Sequence, residues 1–112
     1  MFAIAANLAK AKAADSVLNT VATLNFPDTN FKIGSTAGDA ITTGNNNIAI
    51  GIDAMSANTV GDRNIAVGHY SLTTYNPSSN EDAYLTAIGY AALNANTTGN
   101  YNTAVGGNAL SS

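Results

Sequence analysis

The chain repeats one short phrase at a nearly fixed interval. A β-branched residue followed by glycine closes the segments NFKIG, NIAIG, NIAVG, LTAIG and NTAVG. The closing glycines are 17 residues apart, except for one step of 21 residues, and they are Gly34, Gly51, Gly68, Gly89 and Gly106. Self-similarity at a fixed period is the signature of a repeat architecture, so this spacing limits the fold more than any other feature of the chain.

Aligning the repeats on these five glycines, called the corner glycines below, gives columns of constant residue type. The residue before each glycine is Ile or Val, and the residue two before it is alanine in four of the five copies. Asparagine stands four before the glycine in every copy but the fourth, where Leu85 replaces it. This strict register argues against a disordered segment rich in Gly, Asn and Thr.

The repeated phrase predicts a short β-strand. A run such as Asn47 to Ile50 is short, β-branched at alternate positions and closed by glycine, which is typical of a strand rather than a helix. We expect a second, weaker strand around Ala54 and Met55, and glycine at the corners suits sharp turns. Two strands and two turns per coil, stacked so that Asn and Thr form ladders, predict an all-β solenoid, a parallel β-roll of 17-residue coils over residues 31–112.

Each predicted strand has two apolar sides. Ile48 and Ile50 point to one side and Ala49 to the other, and neither side is charged. One side can fill the thin interior of the coil, and the other then needs a partner. A coil with so few large aliphatic side chains is marginal alone, so we predict a homo-oligomer. The strand residues expected to form the core or the subunit contact are Ile48, Ile50, Ile65, Val67, Ile88 and Val105.

Two long phrases carry a family resemblance. NIAIGIDAMSANTVGDRNIAVG and TAIGYAALNANTTGNYNTAVGGNAL resemble the repeats of the YadA-type adhesin head and the related repeats of phage tail fibres and spikes. The resemblance covers about residues 30 to 112. It implies a left-handed parallel β-roll in which three chains pack side by side with the AIG and AVG strands toward the trimer axis. By the same resemblance, Ile50, Val67, Ile88 and Val105 lie on the inner strands, and Gly51, Gly68, Gly89 and Gly106 lie at the corners.

The resemblance predicts an architecture more directly than a function, because the same roll serves bacterial adhesins and virus particles. The coil is longer than in the typical adhesin head, and no stalk or membrane-anchor pattern follows it. We therefore expect a non-enzymatic structural protein of a bacteriophage virion: a homotrimeric fibre, spike or capsid decoration protein at the virion surface. The alternative is the head module of a trimeric adhesin on a bacterial cell surface, which binds host matrix or glycan.

Residues 1–30 differ in kind from the repeats and form a predicted attachment or capping segment. The alanine-rich residues 2–14 suggest a short amphipathic helix, whereas residues 15–26 are compatible with either strand or helix. The segment either docks the roll on a larger capsid or tail assembly or only covers the open end of the first coil. Its apolar positions are Phe2, Ile4, Leu8, Leu18, Leu24 and Phe26.

The longer repeat contains an insertion. Its segment from Tyr75 to Tyr84 replaces a short Asn-Thr-x-Gly turn with a proline, two serines and two acids. Insertions in repeat proteins form loops, often on the binding face, and Tyr, Ser and Asn suit adaptable contacts. The loop is therefore either a tolerated surface loop or a contact site for a host receptor or glycan, with Tyr75, Asn76, Pro77, Glu81, Asp82 and Tyr84 as candidate contact residues.

The sequence offers little for catalysis. His69 is the single histidine, no spacing matches a zinc site, and the pair Glu81 and Asp82 does not match a calcium loop. We expect no enzymatic activity, cofactor or metal. Only 10% of the residues are charged, the net charge is −3 and there is no basic patch, so we expect no nucleic-acid binding. No segment is long enough to span a membrane.

Overall fold

The computed structural model of the protein describes residues 29–112. The predicted attachment segment lies outside the described residues except for its last two positions. The described part contains no helix and five three-residue strands: β1 (Phe31–Ile33), β2 (Ile48–Ile50), β3 (Ile65–Val67), β4 (Thr86–Ile88) and β5 (Thr103–Val105).

The five strands form one parallel sheet in chain order, with one coil of the chain between successive strands. Equivalent positions pair: Ala49 lies opposite Ala66, and Ala66 lies opposite Ala87. The 21-residue step therefore keeps the strand register, and its extra residues are absorbed elsewhere in the coil. The prediction of an all-β parallel solenoid with coils of about 17 residues is confirmed.

The opposite wall of the coil is not a strand, so the expected second strand around Ala54 and Met55 is wrong. These residues lie in a run of turns in which Asp53 and Met55 both have a φ of +56°. Positive φ at alternate positions curls the backbone and prevents an extended conformation. The coils still bond to each other here: the Met55 N–H donates to the Ser71 carbonyl at 2.9 Å, and the Asp53 N–H donates to the Ser35 carbonyl at 3.1 Å.

The interior of the solenoid is filled by the alanine side of the strands. Ala49, Ala66 and Ala87 have no solvent exposure, and Ala104 is 3% exposed. Because successive side chains of a strand point to opposite sides, the neighbouring Ile and Val residues point outward. Small side chains on the strands leave room for larger ones, which enter from the position before β4 (Leu85), from the insertion (Tyr75) and from the opposite wall. The buried residues there include Ala54, Met55, Leu72, Ala92 and Leu93.

The corner glycines allow the coils to approach closely. Their φ values lie between +124° and +133°. A Cβ atom on Gly89 would lie 2.5 Å from the Gly106 carbonyl oxygen, and one on Gly51 would lie 2.6 Å from the Gly68 carbonyl carbon. At these two positions glycine is thus required both by the backbone conformation and by the contact with the next coil. The five positions predicted as turn glycines, Gly34, Gly51, Gly68, Gly89 and Gly106, all have this conformation.

A ladder of buried asparagines runs beside the strands. The Asn30 Oδ1 accepts a hydrogen bond from the Asn47 N–H, and the Asn47 Oδ1 accepts one from the Asn64 N–H, both at 2.9 Å. The Nδ2 atoms of Asn30 and Asn47 donate to the carbonyls of Gly44 and Gly61, each at 2.8 Å. Each asparagine side chain therefore satisfies buried backbone groups of its own coil and of the next one.

The ladder ends at the longer coil. The Leu85 N–H donates to the Asn64 Oδ1 at 3.1 Å, but leucine has no amide group to continue the ladder. The buried Asn64 Nδ2 has no hydrogen-bond partner. The glycines that precede β2 and β3 and accept from the ladder, Gly44 and Gly61, have no counterpart in the insertion before β4.

Candidate functional site

The outer side of the sheet is an apolar surface of the described residues. We call its residues the strand face. Ile33 is 44% exposed, Ile88 39% and Val105 67%, while Ile48, Ile50, Ile65 and Val67 are half-buried by their neighbours in the stack. The strand face consists of Phe31, Ile33, Ile48, Ile50, Ile65, Val67, Thr86, Ile88, Thr103 and Val105.

The strand face is one continuous apolar strip. The parallel register stacks Ile33, Ile50 and Val67 in one column, which continues through Ile88 and Val105. Neighbouring strands lie about 4.8 Å apart, so these side chains contact each other along the rod. A contiguous apolar patch is characteristic of an interaction surface. The structure thus brings together all six strand residues predicted from the sequence, and their role in a subunit contact stays a prediction.

Exposed tyrosines lie on both sides of the strand face. Tyr84 and Tyr101 come two residues before β4 and β5, and their rings stack with centroids 5.7 Å apart at an interplanar angle of 16°. Tyr70 and Tyr90 come just after the corner glycines, and their rings meet edge to face with centroids 5.7 Å apart. Sequence reasoning missed Tyr70, Tyr90 and Tyr101, although Tyr84 and Tyr101 share the column five residues before a corner glycine.

The insertion loop differs from the expected contact loop, because part of it faces inward. Tyr75 is fully buried, and its ring packs on Gly61, where an added Cβ would lie only 2.7 Å from the Tyr75 Cε1. Pro77 is also buried beside Gly61. The assignment of Tyr75 and Pro77 to a contact surface is therefore wrong, since glycine at position 61 leaves space that the tyrosine ring occupies.

The remaining loop residues lie at the surface. Asn76, Asp82 and Tyr84 are exposed, and Glu81 is half-buried. Asp82 forms an ion pair with Arg63, whose side chain is 44% exposed. The exposed residues are held by the coil below: the Asn76 Oδ1 accepts hydrogen bonds from the N–H and the hydroxyl of Thr59. Their contact with a receptor or glycan stays a prediction.

Burial gives Tyr75 unusual acid–base behaviour. Desolvation raises the pKa of its phenol well above the ordinary value of 10.0, and the Glu81 and Asp62 carboxylates raise the pKa further because the phenolate would be repelled. The hydroxyl lies 3.4 Å from the Glu81 Oε1 and from the Asn100 Oδ1. The buried tyrosine is therefore kept protonated, and its single hydroxyl proton is available to either of these two oxygens.

The described residues can also be searched for a metal site, a membrane-spanning helix and a polar cleft. Within residues 29–112, no group of three or more His, Cys, Asp or Glu residues is arranged to hold a metal ion. No helix in this range has the length and apolar character needed to cross a membrane. His69 is exposed. A cleft of about 250 Å³ beside Leu93, Asn96 and Leu110 is lined by no titratable side chain.

The comparisons with known proteins find no family model, curated protein or solved structure that matches this chain. The parallel solenoid thus rests on the structure itself. The likeness to adhesin heads and phage fibres rests on the repeated phrases, and what it implies about function is a proposal.

Proposed function

We propose that this protein is a non-enzymatic structural component of a bacteriophage virion, in which three copies form a rigid rod. The proposal includes the left-handed winding and the three-fold arrangement that the repeated phrases imply. The observation that carries it is the strand face, in which the column from Ile33 to Val105 is apolar in every coil. Burial of such a strip against a partner is favourable, and a copy of the same chain offers a strip of the same length and spacing.

The energetics of the coil support self-association. The interior contains mainly alanine on the strand side, and the larger Ile and Val side chains lie outside. Fully burying an exposed side chain of this size contributes about 1.5–3 kcal/mol and the half-buried ones contribute less, so covering the strand face is a source of hydrophobic stabilisation. Three copies around a common axis cover all three strand faces and leave none open to further addition.

In this proposal the N-terminal residues attach the rod to a larger capsid or tail assembly, and the exposed part of the insertion loop is the candidate host contact. The alternative, an adhesin head on a bacterial surface, uses the same trimer with a different attachment. The two differ in location and not in fold. Attachment, host contact and location therefore need an experiment of their own.

Immunogold electron microscopy tests the location directly. Purified particles of the source phage and whole cells of the source bacterium are labelled with an antibody against the folded rod. We expect gold at one reproducible site on the particles, removed by competition with the soluble protein. Label confined to the cell envelope would contradict the virion proposal and support the adhesin head.

A further inference from the structure

The tyrosines before β4 and β5 occupy a backbone conformation that does not suit them. The residues five before each corner glycine all have positive φ, with +60° at Asn46, +51° at Tyr84 and +61° at Tyr101. Asparagine adopts this conformation readily, whereas bulky residues do so rarely. Two consecutive coils thus carry an aromatic residue where the backbone favours a small polar one.

A second change accompanies the tyrosines. In the first three coils this column is polar and the first strand position is apolar, whereas in the last two coils the column is tyrosine and the first strand position is threonine. In the last two coils the apolar side chain therefore stands two residues before the strand and not at its first position. The residue pairs are Thr29 with Phe31, Asn46 with Ile48, Arg63 with Ile65, Tyr84 with Thr86 and Tyr101 with Thr103.

This apolar surface is exposed, and its two rings contact each other. Tyr84 is 49% exposed and Tyr101 is 74% exposed, and the two rings stack on each other. The Tyr84 hydroxyl lies 3.5 Å from the Asp82 Oδ2, and the Asp82 carboxylate is also paired with Arg63. The rings are held before any partner arrives, which lowers the entropy lost on association.

The area of the strand face also requires an extension. Strands of three residues span about 10 Å, and five strands spaced about 4.8 Å apart span about 20 Å, so the face covers roughly 200 Å² in projection. A stable specific interface buries about 800 Å² on each partner. The strand face is small beside such an interface, and the tyrosine column is an apolar surface that adjoins it at β4 and β5.

We infer that the stacked pair of Tyr84 and Tyr101 is buried between neighbouring copies of this chain, where it widens the subunit contact at the last two coils. The partner is a second copy. Tyrosine suits this position because its ring supplies contact area while its hydroxyl keeps a polar partner at the rim. The inference rests on the proposed homotrimer.

The test uses the full chain with the substitution Tyr101→Asn, because asparagine fits a positive φ and already occupies this column at position 46. The matched control is Leu110→Asn. Leu110 is 58% exposed and has a φ of +50°, but it belongs to the opposite wall of the coil. Sedimentation equilibrium gives the association constant of each variant, and circular dichroism confirms that each one is folded.

We expect Tyr101→Asn to weaken association at least about tenfold while the coil stays folded, and Leu110→Asn to leave association unchanged. Association of Tyr101→Asn at the wild-type strength would overturn the inference and leave the trimer proposal standing. A wild-type chain that is monomeric at every concentration would instead overturn the proposed trimer, and with it the inference.

Discussion

At the scale of single residues, the coil depends on a small number of positive φ angles that recur in fixed columns. The corner glycines have one, and so do the residues five before, two after and four after each of them. Only the corner column is uniformly glycine, and at Gly34, Gly51, Gly68 and Gly89 an added Cβ atom would lie 2.8 Å or less from the next coil. The other columns also contain larger residues, among them Asp53, Met55 and Tyr70.

Gly89→Ala and Gly106→Ala separate the two reasons for glycine. Both positions have a similar φ, +129° and +126°, but a Cβ on Gly89 meets the next coil at 2.5 Å, whereas one on Gly106 meets only the Ala109 Cβ at 4.0 Å. Strain in φ costs about 1–3 kcal/mol at either site, and the clash adds about 1–3 kcal/mol at Gly89 alone. Urea unfolding at a fixed protein concentration measures the difference, and equal losses would contradict the close approach of the coils.

The glycine column could be predicted from the sequence, whereas the other positive φ angles could not. A glycine at constant spacing indicates a turn or a close approach between two backbone segments. The residue types at Met55 and Leu93 do not indicate a positive φ, because methionine and leucine favour helices and strands elsewhere. The sequence of the opposite wall therefore predicts an extended conformation. The positive φ angles appear only in the backbone of the folded coil.

At the scale of the structural element, the 21-residue coil shows how a solenoid absorbs an insertion. The strand register between β3 and β4 is kept, the asparagine ladder stops at Leu85, and Tyr75 turns inward to pack on Gly61. A polar donor, the Asn64 Nδ2, is left without a partner at this point. The insertion therefore replaces a hydrogen-bonded ladder with an aromatic core residue, and only its outer part remains at the surface.

The buried Tyr75 makes stability depend on alkaline pH. Its pKa in the folded coil is raised above the unfolded value of 10.0, so below pH 10 the phenol is protonated in both states. Above pH 10 the unfolded chain loses this proton while the folded chain keeps it, so stability falls as pH rises toward the folded-state pKa. Tyr75→Phe should remove part of this fall, as measured by urea midpoints from pH 8 to 12.

The surface substitution Tyr90→Phe is the control. Tyr90 is 57% exposed, so this substitution removes one phenol hydroxyl from the surface and none from the interior. A fall in stability that is the same in Tyr75→Phe and in the wild type would contradict the burial of the Tyr75 hydroxyl.

The inward turn of Tyr75 could not be read from the sequence of the loop. Residues 75–84 are rich in Ser, Asn, Pro and acids, which is typical of an exposed loop. The space that accepts the ring is set by Gly61, in the preceding coil, and by the register that brings the two together. The contact therefore depends on how the coils stack, which the composition of the loop does not reveal.

At the scale of the whole molecule, the two sides of the sheet carry side chains of different size. On the strand side, alanine fills the coil and Ile or Val covers its outside, whereas Met55, Leu72 and Tyr75 enter the interior from other parts of the coil. The sequence predicted two apolar sides to the strands but could not decide between them. On the strand side the larger side chains lie outside the coil, and in the proposed trimer a partner covers them, so that the stability of one copy depends on the presence of others.

The native mass of the full chain, measured by light scattering over a dilution series, tests the central claim that the strand face joins copies of this protein. The wild type is compared with Val67→Lys, which adds a charge to the strand face, and with Thr98→Lys, which adds the same charge at an exposed turn. We expect a mass of three times the 11.3 kDa chain for the wild type and for Thr98→Lys, and a lower mass for Val67→Lys, because buried unpaired charges oppose association. A folded wild-type monomer at every concentration would contradict the claim.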